Sequence, residues 1–98
     1  MQSAQRVMIV NRKGLHARAS NKLARLASSY QSEITIRNDE HEAQATEIMD
    51  LLMLIAHKGT EIEIEAVGDD APEAVTALAS LVADGFGERD APDEPATC

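Results

Sequence analysis

Residues 61–67, Glu-Ile-Glu-Ile-Glu-Ala-Val, alternate acidic and aliphatic side chains over three full repeats. Successive side chains of an extended segment point to opposite faces, so Ile62, Ile64 and Ala66 share one face and Glu61, Glu63 and Glu65 the other. Such a strand has one dry side and one wet side. It predicts an antiparallel sheet solvated on one face and covered by helices on the other. The 98 residues suffice for one core of this kind but not for two.

Other segments supply the partners and the cover. Ile34 and Ile36 alternate with Glu33, Thr35 and Arg37 in a second strand ending at Asn38-Asp39, and a hairpin returns through residues 42–45. Residues 5–10 read as a further strand, followed by the turn Asn11-Arg12-Lys13-Gly14. A helix opens at His16, with Leu23, Leu26, Ala27 and Tyr30 on its core face. Thr46 can cap a second helix running to about Ala56. Pro72 near the start, Val75, Leu78, Ala79 and Val82 along one face, and Gly85 at the end delimit a third. The expected fold is α+β in the order βαββαβα, a four-stranded antiparallel sheet covered on one face by three helices. Residues 88–98 are acidic, carry two prolines and show no periodicity, so the domain should occupy residues 1–87 with a disordered acidic tail behind it.

The net charge of −8 conceals a division along the chain. Residues 1–37 hold seven Lys and Arg against one acid, and residues 38–98 hold two against sixteen. Within the first helix Arg18, Lys22 and Arg25 recur at helical spacing, a basic ridge able to attract phosphate oxygens and an acidic partner. Nucleic acid is excluded as a target, because so acidic a chain, with Tyr30 and Phe86 as its only aromatics, has neither a basic footprint nor a stacking platform. The apolar run Val7–Val10 is too short for a signal peptide or a membrane span. Cys98 is the only cysteine, which rules out an internal disulfide and a cysteine zinc cluster and fits a reducing, cytoplasmic setting. His41 and His57 stand near no second ligand in sequence, and no residue requires a metal.

His16 lies in Gly14-Leu15-His16-Ala17-Arg18-Ala19-Ser20, between a strand and a helix. A histidine at a helix start usually does no more than cap it. Here the neutral imidazole would face the open N–H groups of Ala17 and Arg18 and the positive end of the helix dipole, which together make a seat for a phosphoryl group. The Arg18 guanidinium could engage phosphate oxygens as a planar fork. The second helix carries more apolar residues than one buried stripe needs. With Leu51, Leu54 and Ile55 inward, Ile48, Met49 and Leu52 emerge as an exposed patch suited to a protein partner.

The heptapeptide resembles the active-site motif of the HPr family of histidine-containing phosphocarriers, Gly-Leu-His-Ala-Arg followed by Pro and then Ala or Ser, and fits it at six of seven positions. The likeness runs from about Val7 to Gly87 and takes in Glu47–Leu54 and the closing Asp84-Gly85-Phe86-Gly87. The stretches Arg37-Asn38-Asp39-Glu40, Leu51–Leu54 and Glu61–Ala66 look most like the nitrogen-related branch, NPr. The resemblance implies an open-faced β-sandwich that acts, as a monomer, in a phosphoenolpyruvate-dependent phosphotransferase chain. His16 would take a phosphoryl group on Nδ1 from Enzyme I or its nitrogen-type homologue and pass it to a IIA-type protein. Arg18 and the helix-start amides of Ala17 and Arg18 would hold the oxygens, and Lys22, Ile48, Met49 and Leu52 would meet partners. No cofactor would be bound, since magnesium and phosphoenolpyruvate serve the donor enzyme. The chain would be a covalent relay and not an enzyme.

Two residues depart from the family pattern. Ala19 replaces the usual proline, and Glu47 stands where many members carry a regulatory serine, which removes phosphorylation at that position. Both keep open a second reading, a docking module of HPr shape that is no longer phosphorylated. A small domain binding an anionic metabolite at the same helix start is a third.

Overall fold

A computed structural model describes residues 1–39, 41–54 and 56–87. The strands are β1 (Gln2–Met8), β2 (Glu33–Arg37), β3 (Glu42–Gln44) and β4 (Glu61–Val67); the helices are α1 (Ala17–Ser28), α2 (Ile48–Met53) and α3 (Ala71–Ala83), followed by a short 3₁₀ turn, Gly85–Gly87. The chain order is the expected βαββαβα. In space the strands run β1-β4-β2-β3, all neighbours antiparallel, so the alternating segment is central and bonded on both sides. Its Ile62, Ile64 and Ala66 are buried. Ile34 and Ile36 of β2 and Ala43 of β3 extend the same dry face. α3 lies over β1 and β4, α2 lies against β3, and α1 packs on both helices.

The helices bury the expected stripes. Leu23 and Ala27 of α1 and Val75, Leu78, Ala79 and Val82 of α3 are buried, while Leu26 and Tyr30 pack partly buried at the margin. Three boundaries differ. β1 spans residues 2–8 and not 5–10, because its length is set by pairing with β4, from Gln2 opposite Val67 to Met8 opposite Glu61. Ile9 instead bonds the turn before β4, donating to Thr60 O and accepting from Gly59 N at 2.9 and 2.8 Å. β3 stops at Gln44, one residue short of the expected return. α2 is capped by Glu47, without a side-chain bond, and not by Thr46. It also ends at Met53, and the carbonyls beyond it bond outside the helix: Leu54 O accepts from Asn38 Nδ2, and Ala56 O accepts from Leu15 N, both at 2.9 Å. The expected inward side chain of Ile55 and the expected tail 88–98 lie outside the described residues.

On the wet face Arg37 bonds Glu63 at 3.0 Å, Glu65 at 2.9 Å and Glu42 at 3.3 Å, across three strands. Glu63 and then Glu65 hold the guanidinium more firmly protonated than usual, and Arg37 followed by Gln2 holds the Glu65 carboxyl below its usual range. At the far end of β4, Asp70 accepts from the Ser32 hydroxyl and from the N–H groups of Gln31 and Ser32. The Ser32 hydroxyl, then the Gln31 amide, lower the Asp70 pKa from its ordinary 3.8. A depressed carboxyl contributes stability above the unfolded-state value and loses it as pH falls through the folded-state value. Asp70→Asn should therefore lower Tm at pH 7 and shrink the loss of Tm below about pH 4, as thermal melts across pH 2–7 will show.

Candidate functional site

The turn after β1 is built for one close approach. Gly14 has φ +66°, and a Cβ on it would lie 2.4 Å from the Ala56 carbonyl oxygen. Only glycine accommodates both the left-handed backbone and that contact. Around it, Asn11 Nδ2 donates to Gly14 O at 2.8 Å, Leu15 N to Ala56 O at 2.9 Å and Ser20 Oγ to Leu15 O at 3.3 Å. The residues before His16 are thereby fastened to the segment leaving α2 on one side and to α1 on the other.

His16 is the N-cap of α1, in extended conformation (φ −78°, ψ −177°). Its carbonyl accepts from Ser20 N at 2.8 Å, and its Nδ1 accepts from Arg18 N at 3.1 Å. An acceptor Nδ1 places the proton of the neutral ring on Nε2. The lone pair of Nδ1 therefore points along the helix start, into the positive end of the dipole. His16 is half-buried, while Ala17 and Arg18 are exposed beside it. Ala19, where the motif has proline, is fully buried.

Arg18, Lys22 and Arg25 are exposed on one face of α1, as their spacing predicts. Lys22 also has a long-range bond that sequence could not indicate: its Nζ donates to the Phe86 carbonyl at 2.7 Å. Phe86 is fully buried at φ +58°, ψ +28°. A left-handed non-glycine residue costs about 1–2 kcal/mol, and burying its ring returns about 1.5–3 kcal/mol.

On α2, Leu51 and Leu54 point inward, as expected. Ile48 is 37% exposed, Met49 71%, and Leu52 is half-buried. Met53, 68% exposed, belongs to this surface and was not among the expected patch residues. Its i, i+4 relation to Met49 was the signal for it. The Leu15–Ala56 bond sets this helix beside the histidine turn. His41 and His57 sit in turns, their N–H groups bonded to Asn38 Oδ1 and Thr60 Oγ1. Among the described residues no three His, Cys, Asp or Glu side chains gather to hold a metal, and no helix is long and apolar enough to cross a membrane.

The pattern of the PTS HPr component phosphorylation site matches residues 3–84. The chain belongs to the HPr family. Phosphocarrier protein HPr of Neisseria meningitidis serogroup B is 45% identical over 86% of this chain and 94% of its own length. Phosphocarrier protein NPr of Proteus mirabilis is 45% identical over 90% of this chain and 99% of its own. Among solved structures, HPr of Thermoanaerobacter tengcongensis superposes with a TM-score of 0.85 at 33% identity, covering 89% of this chain and 98% of that one. HPr of Bacillus anthracis gives 0.79 at 32% identity, covering 83% and 96%. The protein is thus a phosphocarrier of the phosphotransferase system, a covalent relay and not an enzyme. HPr-family proteins carry no cofactor, and membership implies Enzyme I and IIA partners.

Gly14→Ala adds a Cβ against a backbone oxygen in a left-handed residue, and should cost about 1–3 kcal/mol. Urea denaturation should show a lower midpoint with an unchanged slope, and the NMR signals of Leu15, His16 and His57 should move.

Proposed function

We propose that His16 Nδ1 carries the phosphoryl group, that Arg18 and the N–H groups of Ala17 and Arg18 hold its oxygens, and that Ile48, Met49 and Leu52, with Lys22 at the edge, receive the partners. The observation that carries this reading is the Arg18 N to His16 Nδ1 hydrogen bond. It aims the nucleophilic lone pair at a helix start and selects the tautomer that can attack. The lone pair attacks phosphorus on the donor's phosphohistidine. A new N–P bond forms as the donor's N–P bond breaks, the donor ring leaves with that electron pair, and each ring keeps the proton on its other nitrogen. Transfer to a IIA-type acceptor is the same exchange in the opposite role. Once Nδ1 is phosphorylated it no longer accepts from Arg18 N, and that N–H turns to a phosphoryl oxygen, so no donor is stranded. Histidine suits a relay because a phosphoramidate is handed on readily, where a serine ester would be held.

The stretches Arg37–Glu40, Leu51–Leu54 and Glu61–Ala66 favour the nitrogen-related branch, with the nitrogen-type homologue of Enzyme I as donor. Every group named lies on one chain, so a monomer suffices.

Intact mass after incubation with phosphoenolpyruvate, magnesium and either type of Enzyme I tests the relay. Wild type should gain one acid-labile phosphoryl group, faster from the nitrogen-type donor, and His16→Ala none. Arg18→Ala should slow uptake about 10–100-fold, the worth of one charge-assisted hydrogen bond. Failure of the wild type to gain mass, where a known carrier is charged, would move the assignment to a docking module.

Met49→Gln tests the patch. Calorimetric titration against Enzyme I should show affinity reduced about tenfold, a loss of 1.4 kcal/mol, with unfolding free energy within about 0.5 kcal/mol of wild type. Lost stability with retained affinity would exclude Met49 from the docking surface.

A further inference from the structure

Charge is distributed unevenly between the two layers. On the sheet, Arg6 pairs with Glu61 and Arg37 with Glu42, Glu63 and Glu65. On the helix layer Arg18, Lys22 and Arg25 are exposed along one face of α1, and among the described residues none of the three is in an ion pair. The exit of the chain from the domain is fixed beside them. Lys22 Nζ bonds the Phe86 carbonyl at 2.7 Å, and a Cβ on Gly87 would lie 3.6 Å from the same nitrogen. Gly87, the last described residue, therefore lies next to the middle of the basic face. The segment 88–98 carries Glu88, Asp90, Asp93 and Glu94 against the single Arg89. Its eleven residues can reach about 36 Å, while the twelve residues of α1 span about 18 Å. Acids starting beside Lys22 can reach Arg18 in one direction and Arg25 in the other.

We propose that segment 88–98 docks on the basic face of its own α1 and competes there with acidic partner surfaces and with the arriving phosphoryl group. The competition rests on the reading of His16 and Arg18 given above; the docking does not. Opposite charges held on one short chain meet at high effective concentration. They also meet at the protein surface, so salt must weaken the contact.

The test compares the full chain with a full-length variant carrying Glu88→Gln, Asp90→Asn, Asp93→Asn and Glu94→Gln, both ¹⁵N-labelled. At low salt the amide signals of Arg18, Lys22 and Arg25 should differ between the two, and the difference should vanish near 0.5 M salt, where charges are screened within about 4 Å. Coincident α1 signals at low salt would overturn the docking. Differences that grow with protein concentration would assign it to a second copy and overturn the intramolecular contact. Phosphoryl uptake from Enzyme I at low salt should be about threefold faster for the neutralised variant, and equal rates alongside shifted signals would overturn the competition. Uptake by neither chain would overturn the reading of His16 instead, and the spectra would still decide the docking.

Discussion

The position of every other element is referred to the register of β4. It is bonded to β1 on one side and β2 on the other, and its side chains alternate strictly between core and solvent. A slip of one residue would carry three glutamates into the core and three aliphatic side chains out of it. That penalty holds the strand in place. From there the functional end follows through short links: the turn preceding β4 bonds Ile9, and Ala56 just before that turn bonds Leu15. The histidine loop is therefore positioned by the strand least able to shift.

The same alternation distributes the charge. Because β4 presents glutamates only to the wet face, arginines brought there by β1 and β2 are paired on arrival. Those on α1 face outward from the other layer. The cations in the first 37 residues are thus divided by topology among a compensated sheet, the turn at Arg12 and Lys13, and a basic helix capped by His16. In the proposed relay a phosphoryl group at that helix start would meet the N-terminal dipole and a row of cations that no described carboxylate pairs.

Legibility from sequence followed how local the determining interaction was. β2, β4 and α3 announce themselves because one buried face imposes a period on neighbouring residues. The heptapeptide around His16 is equally local, and a helix cap with an arginine two residues on was readable directly. Boundaries set by distant partners were not. β1 takes its length from β4, so its apolar run Val7–Val10 was a poor guide; α2 stops at Met53, and the segment after it is held by bonds from Asn38 and Leu15, both distant in sequence. Gly14 read as a turn glycine, whereas its more demanding role is the contact with the Ala56 carbonyl. The Lys22–Phe86 bond joins residues 64 positions apart, and no pattern in either segment foretells it.

The replacement of proline by Ala19 can be judged on the same grounds. Proline at a compatible position stabilises by about 0.4–1 kcal/mol, by restricting the unfolded chain. Its loss is an entropic cost to folding, not a contact removed from the folded site. Ala19 is itself fully buried, so the position still packs. What fixes the histidine turn is the set of bonds from Asn11, Leu15 and Ser20 together with the Gly14 contact, and none of these involves residue 19. The substitution therefore draws on the stability of the whole domain and leaves the direction of the His16 lone pair to bonds that a proline would not have supplied.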